Sequence, residues 1–217
     1  LTALDAAASS NGRLDVGDND LAGNNASVVY LQQTGPNSWT GKSVQGSPNR
    51  TFDFPLDLTT APASRVKAVA VNAFYWVNLA HDRFYKLGFT EGYRNCQLSN
   101  FGRGGVEDDR VVVRVNDPLS EDNASMLTWD EGRSPELSLG VYSGPNPDRE
   151  SALNAETILH EYAHAVSNRL IGDGTGIDSD ADQSRGMGEG WSDFFALALT
   201  SSPTDPVSGV YPYGAYT

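Results

Sequence analysis

Residues 160–164 read His-Glu-Tyr-Ala-His. On an α-helix, positions four apart share one face, separated by a rise of about 6 Å. Two imidazoles so placed can both reach one Zn²⁺ at about 2.0–2.1 Å. Glu161 follows the first imidazole, leans toward the metal's open side and can take a proton from water there. One helical turn therefore offers two ligands and a general base. An ordinary helix with two incidental histidines is the plainer account, since short motifs recur by chance. Against it, two of the chain's three histidines (His81, His160 and His164) fall at this spacing around a glutamate.

A catalytic zinc takes three protein ligands and keeps one position open. The single cysteine, Cys96, leaves His, Asp and Glu to build any metal site, and no histidine follows His164. The third ligand is therefore expected to be a carboxylate. Residues 186–193 read Gly-Met-Gly-Glu-Gly-Trp-Ser-Asp. If a helix opens near Gly188, Glu189 and Asp193 lie four apart on one face. One carboxylate can bind the metal, and the other can accept the remaining N–H of a ligand imidazole and hold its tautomer. Both acids can instead stabilise a helix N-terminus, a reading that leaves the zinc short of a ligand.

The elements that must position these groups are legible in outline. Val66, Val69, Ala73, Phe74, Val77, Ala80, His81, Phe84 and Leu87 recur at helical spacing, which predicts a helix over 66–87 closed by Gly88. His81 lies on that apolar face, where a buried histidine with a partner is expected rather than a ligand. Strands are predicted over 110–116, 125–129 and 136–142. Turn residues at 116–118 and 130–132 separate them, which favours an antiparallel meander. A second helix is predicted over 151–171, ended by Gly172. A Gly/Asp-rich loop then spans 172–186, and a third helix runs from near Gly188 to about Thr200. Strands followed by helices imply an α+β fold with the helices on one side. Residues 1–65, rich in turn formers, read as a loop- and strand-rich segment ahead of a core over 66–217. Asp173, Asp178, Asp180 and Asp182 can offer oxygens to Ca²⁺ or form a solvated acidic loop, and Asp15, Asp18 and Asp20 are a weaker candidate of the same kind.

HEYAHAVSNRL followed by GMGEGWSDFFA resembles the fungalysin family of secreted zinc metallopeptidases, relatives of thermolysin. The segments NAFYWVNLAHDRFYKLGFTE and DNASMLTWDEG are similar to the same family. The resemblance runs over roughly residues 66–217. It implies a zincin-like fold of the gluzincin type, with a β-rich part and an edge strand packed on the active-site helix. It implies His160, His164 and Glu189 as zinc ligands, Glu161 as catalytic base and Asp193 as the aspartate behind a ligand histidine. It also implies that the edge strand above the zinc binds the substrate backbone, with Asn123 and Ala124 in contact with the peptide. Family members carry a further helical half that helps form the cleft and supplies a histidine for the tetrahedral intermediate. That half looks absent after Thr217, and no residue here is matched to that histidine. A polypeptide substrate follows, together with an inhibitory propeptide or the missing helical half as partners.

Composition sets the outer bounds. With 217 residues, 39% hydrophobic and 20% charged, the chain can bury a sizeable core. A net charge of −13 and an isoelectric point near 4.4 argue against nucleic acid and anionic membranes as partners, because both need a basic face. No apolar run reaches bilayer-spanning length. The start, LTALDAAASSNGRLD, has neither a basic nor an apolar leader region. That leaves a cytosolic protein or one whose leader has been removed, and the resemblance implies the second, a secreted protein. The reading that results is a zinc-dependent endopeptidase. Its rivals are an exopeptidase on the same ligands, for which no motif that captures an N-terminal amine is visible, and a non-catalytic zinc-binding fragment.

Overall fold

The computed structural model describes residues 5–15, 17, 19–171, 176 and 181–217. The first predicted helix is α1, Pro62–Lys86. Pro62 opens it, where a missing N–H removes no helix bond. Val69, Ala73, Phe74, Val77, Ala80 and Phe84 form its buried stripe. Gly88, at φ +107°, closes it. Gly88 N–H donates to Tyr85 O at 3.0 Å and Phe89 N–H to Phe84 O at 3.0 Å, the pair of bonds that a left-handed terminal residue permits. His81 is buried as expected, with Nε2 3.3 Å from Gln97 Oε1.

Strands β1 (Ala26–Gly35), β2 (Ser38–Ser43), β3 (Val111–Val115), β4 (Ala124–Leu127) and β5 (Glu136–Leu139) form one sheet in the order β2-β1-β3-β5-β4. β1 is parallel to β3 and β3 to β5, while β2 and β4 run antiparallel to their single neighbours. The expected antiparallel meander is thus corrected to a mixed sheet. The chain reverses on the way from β3 to β4 and again into β5, but β5, not β4, takes the place beside β3. Leu137 and Leu139 of β5 are fully buried, whereas β4 exposes Ser125 and Leu127. The more apolar strand occupies the interior and β4 is left at the edge. Ala26, Val28, Val111, Val113, Val115, Leu137 and Leu139 are buried on one face, alternating with partly exposed neighbours, and they share a core with α1 and the second helix. The chain is therefore α+β, with helices on that face. A two-stranded ribbon, β6 (Val141–Tyr142) with β7 (Arg149–Glu150), follows. Between β5 and β6, a Cβ on Gly140 would lie 1.6 Å from Ser120 O, so only glycine lets the chain pass.

The second helix, α2, spans Ala155–Leu170. Its predicted first turn, residues 151–153, is a separate 3₁₀ turn, because Asn154 caps the helix: its side chain accepts from the N–H groups of Glu156 and Thr157. Gly172, expected to end the helix, lies outside the described residues. Near that end Arg169 is fully buried, with Nη1 2.8 Å from Asp109 Oδ2 and Nη2 donating to Arg133 O at 3.0 Å. Burial raises the Asp109 carboxyl, and the Arg169 guanidinium opposes that rise. Arg169→Ala leaves an acid buried without its partner and is expected to lower stability by about 3–5 kcal/mol. Urea unfolding followed by circular dichroism measures it; a loss under about 1 kcal/mol, the value of a surface pair, would mean that the site reorganises around Asp109.

The third helix, α3, spans Asp182–Thr200 and begins six residues before the expected Gly188. Glycines read as breakers because each costs about 1 kcal/mol in a helix interior. Here the buried residues of α3 are Gly188, Ser192 and Ala196, one small residue per turn, on a helix that packs against α2. Close approach to α2 outweighs propensity, and Glu189 sits mid-helix rather than at a helix start. Of the acidic loop, Asp173, Asp178 and Asp180 lie outside the described residues, as does Asp18. Asp182 pairs with Arg185, and Asp15 with Arg110 at 2.7 Å. No helix among the described residues is long and apolar enough to cross a membrane.

Candidate metal centre

α2 and α3 bring three donor atoms together. His160 Nε2 lies 3.1 Å from His164 Nε2 and 3.1 Å from Glu189 Oε2, and His164 Nε2 lies 3.4 Å from the same oxygen. Ligands at 2.0–2.1 Å around a tetrahedral ion stand about 3.3–3.4 Å apart, so the spacing suits one zinc. The protons agree. Asp193 Oδ1 is 2.9 Å from His160 Nδ1, placed to accept the Nδ1–H in the tautomer that ligates a metal through Nε2. That leaves a lone pair on Nε2, facing the Glu189 carboxylate. Burial holds His164 below the usual imidazole range, with Glu189 pulling upward and His160 reinforcing the fall, which favours the neutral, ligating form. Lone pairs that converge in this way call for a cation. Among the described residues, His160, His164 and Glu189 are the single group of this kind. The ring faces are nearly perpendicular, at 79°, and the side chain of Glu189 is largely exposed, so the centre opens to solvent beside α3.

Glu161 is not one of the converging donors. It is buried, and its carboxylate accepts a hydrogen bond from the Met126 N–H of β4. Burial first, and then the charge of Glu189, push its carboxyl up to about 8, against that hydrogen bond; a dication at the three donors would pull it back down. β4 is one edge of the sheet, β2 being the other. Ala124 opens it, paired with Leu139. Asn123 precedes it, exposed, with its N–H donating to Ser120 O and its carbonyl accepting from Gly140 N–H, both at 3.1 Å. The structure thus brings the Glu161 carboxylate to the edge strand that Ala124 opens and Asn123 precedes.

The profile of the family described as Fungalysin metallopeptidase (M36) matches residues 2–217. The chain belongs to the fungalysin family. Among its relatives, extracellular metalloproteinase MEP of Pyricularia oryzae is 35% identical over 196 residues, covering 89% of this chain and 31% of that protein. Extracellular metalloproteinase 5 of Trichophyton tonsurans is 33% identical over 195 residues, covering 89% and 32%. The protein of that name from Arthroderma benhamiae is 33% identical over 195 residues, covering 89% and 31%. This fungalysin chain spans about a third of the length of the curated relatives it matches.

One residue of this fungalysin centre has no counterpart in the sequence reading. The Tyr213 hydroxyl lies 3.0 Å from His160 Nδ1, the atom that Asp193 Oδ1 approaches at 2.9 Å. It comes 53 positions after His160, in a tail with no periodic pattern, and no local spacing signals it. The Met126 N–H is equally silent, because a backbone donor has no residue type.

Proposed function

We propose that this chain carries the metal- and base-bearing part of a zinc-dependent endopeptidase. The observation behind the reading is the convergence of His160 Nε2, His164 Nε2 and Glu189 Oε2 at 3.1–3.4 Å, with the Glu161 carboxylate beside them. His160, His164 and Glu189 would hold the ion, which supplies Lewis acidity toward the scissile carbonyl and toward water. Asp193 keeps the His160 ring in its ligating tautomer. An extended peptide lies along the free edge of β4 as an added strand, with Asn123 and Ala124 at the start of that edge. Glu161 takes a proton from water as the oxygen adds to the carbonyl carbon. It then gives the proton to the leaving nitrogen as the C–N bond breaks. Burial beside β4 suits this work, since a carboxylate poorer in water is a stronger base. The relatives' names, extracellular metalloproteinases, support secretion and polypeptide substrates, and a propeptide remains the partner we infer for control.

The test is metal analysis of the purified chain together with mapping of cuts in an unfolded protein, by this chain and by a polypeptide as long as the relatives. One zinc per molecule and internal cuts are expected. Trimming from one end alone would replace the endopeptidase with an exopeptidase. Bound zinc with no cleavage by either polypeptide would leave a zinc-binding unit without catalysis.

A further inference from the structure

The aspartate behind His160 is itself poorly held. Asp193 is 52% exposed in its side chain although it reaches His160, and an exposed carboxylate on a helix has several rotamers open to it. Its value to the His160 ring depends on staying in one of them. Tyr213 supplies the constraint. Its hydroxyl oxygen is 3.0 Å from His160 Nδ1, the atom that Asp193 Oδ1 approaches at 2.9 Å, so phenol and carboxylate meet at the same ring nitrogen and the phenol's own O–H has the carboxylate beside it as an acceptor. Ring nitrogen, carboxylate and phenol close a three-membered polar circuit in which each proton has an acceptor. Burial and the charge of Asp193 raise the Tyr213 phenol, so it stays a donor at neutral pH.

The tail holds the phenol in place from both sides. Just past it, Gly214 N–H donates to Glu156 Oε2 at 2.7 Å, on the first turn of α2. Further on, Arg149 Nη1 donates to Tyr216 O at 2.6 Å, with its guanidinium 5.1 Å from the Tyr216 ring centroid. The tail is therefore fastened to the N-terminal end of the helix that carries His160 and to β7.

We propose that Tyr213 is a positioning residue of the metal centre, acting on His160 through Asp193, so that the tail after α3 sets zinc affinity. The proposal rests on the zinc reading above. Its test is zinc affinity, measured by competition with a chelator of known strength, for the unaltered chain, Tyr213→Phe, Asp193→Asn, the double variant and Tyr216→Phe. Loss of a partner behind a ligand histidine weakens metal binding about 10–100-fold. Asp193→Asn is expected within that range, and Tyr213→Phe near its lower end, about tenfold. The double variant should be no weaker than Asp193→Asn, because the phenol works through the carboxylate and the two losses are not additive. Tyr216→Phe, which keeps the tail's ring but removes a hydroxyl with no hydrogen-bond partner among the described residues, should match the unaltered chain. Circular dichroism of the metal-free variants, expected to coincide, separates lost positioning from lost folding. Unchanged affinity in Tyr213→Phe would overturn the proposal, as would full additivity with Asp193→Asn or an equal loss in Tyr216→Phe. Failure of the unaltered chain to bind zinc at all would overturn the zinc reading instead.

Discussion

Glu161→Gln is expected to keep zinc and fold while removing peptide hydrolysis. The amide is nearly isosteric with the carboxylate, and the Glu161 carboxylate is not among the converging donors, so the metal has no reason to leave. What the amide cannot do is accept a proton from water and return it to the leaving amine. General acid–base catalysis is worth about 10²–10⁴-fold, and in the proposed mechanism the same group also generates the nucleophile, so the loss should reach at least that range. Three readings on one variant are needed: zinc content, melting temperature and hydrolysis rate. They belong in a polypeptide whose unaltered form cleaves peptides. Near-normal hydrolysis with normal zinc would remove Glu161 from the role of base. The fold carries little risk, because the carboxylate's hydrogen bond from Met126 N–H can pass to the amide oxygen.

The second large effect is loss of the ion. Glu189→Ala should abolish stoichiometric zinc, as should His160→Ala and His164→Ala. Each would remove one of the three proposed ligands, and two ligands hold zinc far more weakly than three. The effect must exceed the about 10–100-fold expected for a partner behind a ligand, which sets Glu189→Ala apart from Asp193→Asn. Glu189 is the informative position, because its assignment depends on how α3 lies against α2 rather than on spacing within one helix. Its side chain is mostly exposed and Glu189 is not among the buried residues of α3, so replacing it should not unfold the chain. Metal analysis after exhaustive dialysis decides the matter. Full zinc retention in Glu189→Ala, with the fold intact, would hand the third position to another carboxylate.

Local chemistry made much of this legible without coordinates. The two imidazoles of α2 share a face because the helix repeats every 3.6 residues, and Glu161 follows from that spacing alone. α1 was readable from its apolar recurrence and its end from Gly88, since both depend on neighbours in the chain. Four features were decided elsewhere. Sheet order depended on which strand had the more apolar face to bury, so β5 displaced β4 from the side of β3. The start of α3 depended on a small-residue seam against α2 that offsets the cost of its glycines. The distance from Glu189 to the imidazoles depended on how closely that seam packs. Tyr213 reached His160 only because the tail folds back and is tied to Glu156 and Arg149. The sequence by itself determined the donor types and their spacing within one helix, because those are short-range properties of the backbone. Tertiary structure alone decided how far Glu189 stands from the imidazoles and that the Tyr213 phenol reaches His160, because both follow from the packing of elements whose contacts leave no periodic trace in the chain.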